Sequence, residues 1–243
     1  MKGRTIVGLA GIALVLTACG QTAVDDDDTA EAVREITDEA TPTADGAEAW
    51  DDSDKVTGED LYYAPLRVLR TAISAGADAE TYVGNGFSPE YYTIMQENGD
   101  DGRSKIGYAV KDINRDGIEE LFIGDIDTRA IYDIYTIVDG EPEHVVSGTK
   151  NDSYCVQSDV WICNEFSHNY EESGWTFYGL ASNSADLLYQ WGYKYDGIEN
   201  ADNPWFTTDS NDQWVPISQS EFNEDLRFKT ENCTTPELKP LGE

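Results

Sequence analysis

Residues 106–125 read I-G-Y-A-V-K-D-I-N-R-D-G-I-E-E-L-F-I-G-D, and the rest of the chain is best interpreted outward from them. Apolar residues alternate with other residues on both sides of a polar centre, which predicts a strand, a turn and a second strand. In the turn, Asp112, Asn114 and Asp116 occupy alternate positions, followed by Gly117 and Glu120. Side-chain oxygens two residues apart can converge while glycine permits a sharp bend, so this spacing suits a hard cation such as calcium.

The predicted calcium ligands are the side chains at four positions and one backbone carbonyl. They are Asp112, Asn114, Asp116, the carbonyl of Ile118, and Glu120. This order matches the first half of an EF-hand loop, but Ile123 stands where an EF-hand carries its bidentate glutamate, and the flanks are strands.

The stretch instead resembles the D-x-N-x-D-G-x-x-D/E loops of integrin-type and FG-GAP repeat proteins, in which a loop between two strands holds calcium. It is also similar to a segment of many uncharacterised exported proteins of Gram-positive bacteria. The motif occurs once, so the resemblance does not imply a propeller of repeated blades.

An ion-free turn is the alternative, with Asp and Asn side chains accepting hydrogen bonds from their own backbone. A cation is favoured because three carboxylates beside one amide would otherwise repel one another. The expected role of the ion is structural, since it would tie the hairpin together and reduce the local negative charge.

Patterns outside the turn predict the fold class, which is α+β and mainly β. A helix over residues 61–75 is indicated by apolar residues three and four apart. A second is indicated by Ser88 as its cap, Pro89 as its first residue and Gly99 beyond its end. From residue 106 onward the period is two, with turns between successive strands. These features predict an antiparallel meander with short helices at its N-terminal end. Ser218 and Glu221 form a capping box for a short C-terminal helix.

The first eighteen residues are typical of an export signal, with Lys2 and Arg4 before a short apolar run. The run ends in Leu-Thr-Ala-Cys, which resembles the lipobox of bacterial lipoproteins. That resemblance implies cleavage before Cys19, acylation of its thiol, and anchoring at the extracellular face of the bacterial cell membrane. An ordinary secretory peptide with an incidental Cys19 is the alternative.

Residues 19–57 are predicted to be an acidic, disordered tether, and residues 58–243 a single globular domain. The segment from Asp25 to Asp60 carries fifteen acidic residues against Arg34 and Lys55, and has too few apolar residues to offset chain entropy. The whole chain has a net charge of -32, which repels nucleic acid and anionic lipid headgroups. Neither is therefore an expected partner of the folded part.

Three cysteines follow Cys19, at positions 155, 163 and 233. In an oxidising compartment we predict a disulfide between Cys155 and Cys163, which would face each other across a hairpin with a three-residue loop. A bond from Cys233 to either of them is the competing interpretation. The histidines at positions 144 and 168 do not have the spacing to these thiols that a zinc site shows.

The sequence contains no nucleophile elbow, phosphate-binding loop or dinucleotide fingerprint. Tryptophans recur about once per strand from residue 161, which favours core filling over an exposed platform for sugar rings. The leading hypothesis is a non-catalytic surface module or accessory subunit that binds calcium and an extracellular glycan or protein. The alternative is a small extracellular hydrolase that acts on glycans or peptides, with its acids hidden among 48 carboxylates.

Overall fold

Two strands flank the quoted turn, β1 (Ile106–Lys111) and β2 (Glu120–Asp125). Their antiparallel register runs from Ile106 opposite Asp125 to Lys111 opposite Glu120, so the polar centre forms the connecting loop. In this computed structural model, residues 58–158, 160–208 and 213–242 are described, and they lie in one compact unit, Asp51–Glu243. The predicted signal peptide, Cys19 and the tether lie outside the described residues.

Within the described ranges, five helices precede β1 and one follows the main run of strands. Their bounds are α1 (Gly58–Leu61), α2 (Tyr63–Ala75), α3 (Ala79–Gly84), α4 (Glu90–Asn98), α5 (Gly102–Lys105) and α6 (Gln219–Asn232), with a 3-10 turn at Gly99–Asp101. α2 ends at Gly76, whose left-handed φ of 63° lets its N–H bond back to the helix. The two N-terminal helices predicted from periodicity and caps correspond to α2 and α4.

The strands pair in succession and antiparallel, which confirms the predicted mainly β, α+β fold. After β2 come β3 (Ile131–Val138), β4 (Glu141–Ser147), β5 (Asp152–Gln157), β6 (Trp161–Asn169), β7 (Glu172–Leu180), β8 (Leu187–Asp196), β9 (Trp205–Thr208), β10 (Val215–Pro216), β11 (Cys233–Thr234) and β12 (Lys239–Pro240). The described residues form one sheet in the order β10-β9-β8-β7-β6-β5-β3-β2-β1-β12, with β4 paired to β3 and β11 to β5.

The buried side chains of the described residues fall into three clusters. On β1 and β2, Ile106, Tyr108 and Ile123 face the N-terminal helices, whereas Phe122 joins Ile134 in a cluster on the other side. Farther along the sheet, a third cluster contains Trp175, Phe177 and Phe222 of α6. The N-terminal helices and α6 therefore cover separate parts of the sheet.

The C-terminal helix α6 begins with the predicted capping box. The Ser218 side chain accepts the backbone N–H of Glu221 at 3.2 Å, and the Glu221 carboxylate accepts the N–H of Ser218 at 2.8 Å. The predicted C-terminal helix is α6, which has 14 residues. Its Phe222 packs against both Trp175 and Trp205, which attaches a mostly polar helix to the sheet.

Replacing Ser218 with alanine is expected to destabilise the protein by about 1 kcal/mol, because the backbone N–H of Glu221 loses its acceptor. For a domain of this size the melting temperature should fall by about 2–4 °C. Thermal unfolding followed by circular dichroism measures the change. Ser220→Ala, at an exposed position inside the helix, is the matched control and should have a smaller effect. Equal melting temperatures for the two variants would contradict the role of the cap.

Candidate calcium site

The loop between β1 and β2 is held by hydrogen bonds from its own backbone to its acidic and amide side chains. Asp112 Oδ1 accepts the N–H of Arg115 at 2.6 Å, and Asp112 Oδ2 accepts the N–H of Gly117 at 3.0 Å. Asp116 Oδ1 accepts the N–H of Ile118 at 2.9 Å, and Asn114 Oδ1 accepts the N–H of Asp116 at 3.1 Å. These are the bonds expected for the ion-free alternative, and they fix the loop in a compact shape.

Two residues of the loop adopt left-handed backbone angles. Gly117 has a φ of 88°, which glycine reaches without a steric penalty, and Arg115 has a φ of 62°. The predicted need for glycine at position 117 is therefore met. The bend that Gly117 permits brings its N–H back to Asp112, five residues earlier.

Glu120 closes the loop from inside the protein and is 0% exposed. Its carboxylate accepts the N–H of Ile113 at 2.9 Å and the hydroxyl of Thr136 at 3.3 Å, and both donors are neutral. Burial raises the pKa of the Glu120 carboxyl group to about 7; the bond from Ile113 lowers it, and the charges of Asp116 and Asp112 raise it. An anion at this position is therefore unfavourable unless positive charge lies nearby.

The N-terminal helices hold the end of the loop in place. Tyr62, which precedes α2 and is 0% exposed, donates its hydroxyl to the carbonyl of Glu119 at 2.8 Å. At Gly58 a Cβ would lie 2.6 Å from the Glu119 carboxylate, so α1 approaches the same turn closely. The loop is thus supported by the helical layer as well as by its two strands.

The donor set of this loop fits calcium in its chemistry. Hard oxygen atoms are the ligands that calcium prefers, and a carboxylate oxygen that accepts one hydrogen bond keeps a further lone pair. The carboxylates of Asp112, Asp116 and Glu120 are not all within 4.8 Å of one another; in the described part of the chain, the three cysteine thiols are the group gathered that closely. Asp112, Asn114, Asp116, the carbonyl of Ile118 and Glu120 would hold the ion, with smaller separations between the carboxylates.

The cysteine hairpin has the predicted geometry. Cys155 on β5 lies directly opposite Cys163 on β6, and the three-residue loop between Gln157 and Trp161 sets this register. All three described cysteines are free thiols, so the predicted Cys155–Cys163 disulfide is not formed in this structure and stays a prediction. Cys233 on β11 pairs beside them, opposite Gln157, and therefore competes for either partner.

A serine, a histidine and an aspartate that the sequence analysis did not select also meet. Ser147 Oγ lies 3.0 Å from His144 Nε2 and donates to Asp133, while Asp133 Oδ1 lies 3.4 Å from the same His144 Nε2. In a catalytic triad the serine and the carboxylate contact opposite ring nitrogens, which is not the arrangement here. The sequence feature that could have indicated this group is Asp133, an acid in the middle of the apolar strand β3.

The tryptophans of the meander are mainly packing groups. Trp175 is 5% exposed and belongs to the third cluster, which contains Phe222 of α6. Trp161, Trp191 and Trp205 pack against that cluster. Trp191 stacks on Phe177 at 4.7 Å between ring centroids. These contacts support the core-filling interpretation for those four side chains.

Comparisons with protein-family models, curated proteins and solved structures find no match to this chain. Among the described helices, none combines the length and apolar character needed to cross a membrane.

Proposed function

We propose that this chain is a lipid-anchored protein of the extracellular face of a bacterial cell membrane. Its folded part would be a non-catalytic binding or accessory module of the envelope, stabilised by one calcium ion. The main observation in support of a calcium site is the buried carboxyl group of Glu120, which lies at the base of the loop that also contains the carboxylates of Asp112 and Asp116.

Electrostatics give the ion its role. The charges of Asp116 and Asp112 both raise the pKa of Glu120, so they oppose its ionisation. A divalent cation reverses the sign of that interaction and allows all three to be charged. The ion would therefore join the loop to the strand that begins at Glu120 and strengthen the β1–β2 hairpin.

The proposed anchor is the lipid on Cys19, with the acidic segment as spacer. The net charge of -32 opposes direct adsorption of the protein to anionic lipids, so a covalent lipid would supply the attachment. Since one acyl chain binds membranes only marginally, stable anchoring needs the multiple chains of the lipoprotein class. The module would then reach an extracellular glycan or protein from the membrane surface.

Cys19→Ala is expected to move the protein from the membrane fraction into the culture medium, because the acylated thiol is lost. Immunoblotting of both fractions from cells that express the full chain gives the result. Thr17→Ser, two residues earlier, leaves the cysteine in place and should stay with the membrane. Membrane retention of the Cys19→Ala chain would contradict the lipid anchor.

Calcium and partner binding are tested together by calorimetry with calcium, followed by a glycan array and pull-down from envelope fractions in calcium-loaded buffer. One calcium ion per chain and a bound glycan or protein are the expected results. Turnover of a glycan or peptide substrate would instead favour the small hydrolase.

The hydrolase alternative has one specific contact in its favour, the meeting of Ser147, His144 and Asp133. In its geometry the hydroxyl and the carboxylate both approach Nε2 of the imidazole, whereas in a catalytic triad the carboxylate orients the ring through Nδ1. Asp133 also accepts the N–H of Ser88 at 3.0 Å, which ties α4 to β3. These contacts favour a structural role, and the binding module remains our proposal.

A further inference from the structure

Three thiols from separate strands meet on one face of the sheet. Cys155 of β5, Cys163 of β6 and Cys233 of β11 place their sulfur atoms within 4.8 Å of one another. The pairing explains this convergence, because Cys155 lies opposite Cys163, and Cys233 lies opposite Gln157, two residues along β5 on the same face. We call these residues the thiol cluster.

The thiol cluster lies in the part of the core that α6 covers. Cys163 is 0% exposed, and Cys155 and Cys233 are partly exposed. Lys229 of α6 is 7% exposed and forms an ion pair with Glu165. Hydrogen bonds from the thiols of Cys155 and Cys163 lower the pKa of Cys233, and the charge of Lys229 lowers it further. Hydrogen bonds to Cys155 and Cys233, together with burial, raise the pKa of Cys163. The site thus combines soft ligands and shelter from solvent with a nearby cation, Lys229, that also pairs with Glu165.

We propose that the thiol cluster binds one thiophilic metal ion with a filled d shell, copper(I) foremost, through three thiolates. Thiolates select copper(I) and zinc over hard cations, and zinc sites usually add a fourth protein ligand or a water. With a metal–sulfur bond of about 2.3 Å, the sulfur atoms of a trigonal plane are about 4 Å apart. The observed spacing therefore needs only small side-chain rotations. Binding releases the protons of those thiols that are not already ionised.

This site is chemically separate from the proposed calcium loop, which offers only oxygen ligands. It also differs from a disulfide in its use of the third cysteine. A bond between Cys155 and Cys163 would remove two of three ligands, so the metal-bound and disulfide-bonded clusters exclude each other. In the metal-bound form the ion would shield the thiols from the oxidation expected outside the cell.

The first test uses the full chain with Cys19→Ala, so that only the thiol cluster remains. The reduced protein is titrated without oxygen with copper(I) held as its acetonitrile complex, and in a second arm with zinc(II). Near-ultraviolet thiolate-to-copper absorption should rise to a break at one ion per chain. X-ray absorption should show three sulfur neighbours. Three-sulfur binding of zinc at higher affinity supports the site and changes the preferred metal.

Variants test the third ligand. Cys233→Ser should weaken metal binding by at least about 100-fold in competition with a chromophoric chelator, because two thiolates remain. Thr234→Ser, the next residue on β11, is the matched control and should bind as the parent chain does. Melting curves of the metal-free variants check that both are folded.

Three results would overturn the proposal. The first is a copper(I) titration whose thiolate absorption shows no break at one ion per chain. The second is X-ray absorption that shows copper bound by two sulfur atoms, together with a Cys233→Ser variant that binds copper as tightly as the parent chain. The third comes from intact mass analysis of exported protein purified without reductant: a metal-free chain two hydrogens lighter, with one pair of the clustered thiols bonded. Recovery of that exported chain with three thiols and one metal ion supports the site.

Discussion

Removing calcium is expected to lower the melting temperature of this protein by about 5–10 °C. At a calcium concentration one hundred times the dissociation constant, binding stabilises the folded state by about 2.7 kcal/mol. In a domain of this size each kcal/mol corresponds to about 2–4 °C. The physical reason is that Asp112, Asp116 and Glu120 repel one another in the folded hairpin unless a cation lies among them. Differential scanning calorimetry with calcium and with a chelator measures the shift.

The double variant Asp112→Asn, Asp116→Asn removes two charges of the loop and part of its hydrogen bonding. At position 116 an asparagine oxygen can still accept the N–H of Ile118, but at position 112 it can accept the N–H of only one of Arg115 and Gly117, because Asp112 uses both of its carboxylate oxygens. The response to calcium should disappear, and the difference between the melting temperatures with calcium and with chelator is the measurement that decides.

A charge-matched control separates this site from general electrostatics. The double variant Asp125→Asn, Asp202→Asn also removes two negative charges, but outside the loop, and should keep the full calcium shift. If the parent chain melts at the same temperature with calcium and with chelator, the structural ion is disproved. The side-chain hydrogen bonds would then hold the turn without an ion.

Local patterns in the sequence predicted the parts of the fold that depend on neighbouring residues. Alternation around the turn gave β1 and β2, and the Ser218–Glu221 box marked the start of α6. The short helix α3 escaped periodicity because it has only 6 residues, although the Asp78 cap that accepts the N–H of Thr81 was a readable signal. β10 is confined to Val215–Pro216, too short a stretch to show a period of two.

Features that depend on distant pairing could not be predicted from sequence. β11 and β12 have two residues each, too few to show a period, and form because the edges of β5 and β1 are available to them. The opposition of Cys155 and Cys163 follows from a short loop and was predicted, whereas the approach of Cys233 needs β11 to pair with β5. The thiol cluster was therefore missed.

The same distinction applies to the calcium loop. Spacing alone identified its acids and its glycine, but gave no information on the burial of Glu120. That burial results from the position of Glu120 at the first residue of β2, where Thr136 of β3 and the backbone of Ile113 enclose it. Glu120, which spacing predicts as a ligand in the turn, is consequently a buried acid whose pKa is raised to about 7.

The raised pKa of Glu120 predicts that the calcium-free protein loses stability as the pH rises. The folded-state pKa is about 7, above the ordinary value of 4.5, so between these values the unfolded chain ionises first. The contribution of the protonated acid is complete below about pH 4.5 and is lost as the pH rises through about 7. The difference corresponds to about 3 kcal/mol by pH 8, because one pKa unit equals about 1.4 kcal/mol. Calcium binds the ionised loop, so its stabilising effect should grow over the same range.

Glu120→Gln assigns this pH dependence to one side chain, which matters in a chain with 48 acidic residues. The glutamine oxygen can accept the N–H of Ile113 and its amide can donate to the hydroxyl of Thr136, but the side chain stays neutral at every pH. Urea unfolding of calcium-stripped protein at pH 5 and pH 8 should show the variant equal to the parent at pH 5. At pH 8 the variant should be more stable by about 3 kcal/mol.

With calcium present at pH 8, the parent is expected to be at least as stable as the Glu120→Gln variant, because the parent binds the ion and the variant lacks a charged ligand. Glu119→Gln, an exposed neighbour, is the matched control and should follow the parent in all four conditions. A Glu120→Gln chain whose stability falls between pH 5 and pH 8 as steeply as the parent's would show that Glu120 is not the titrating group. It would also remove the electrostatic argument for calcium, because a carboxyl group that ionises in the interior at no cost has no need of a cation.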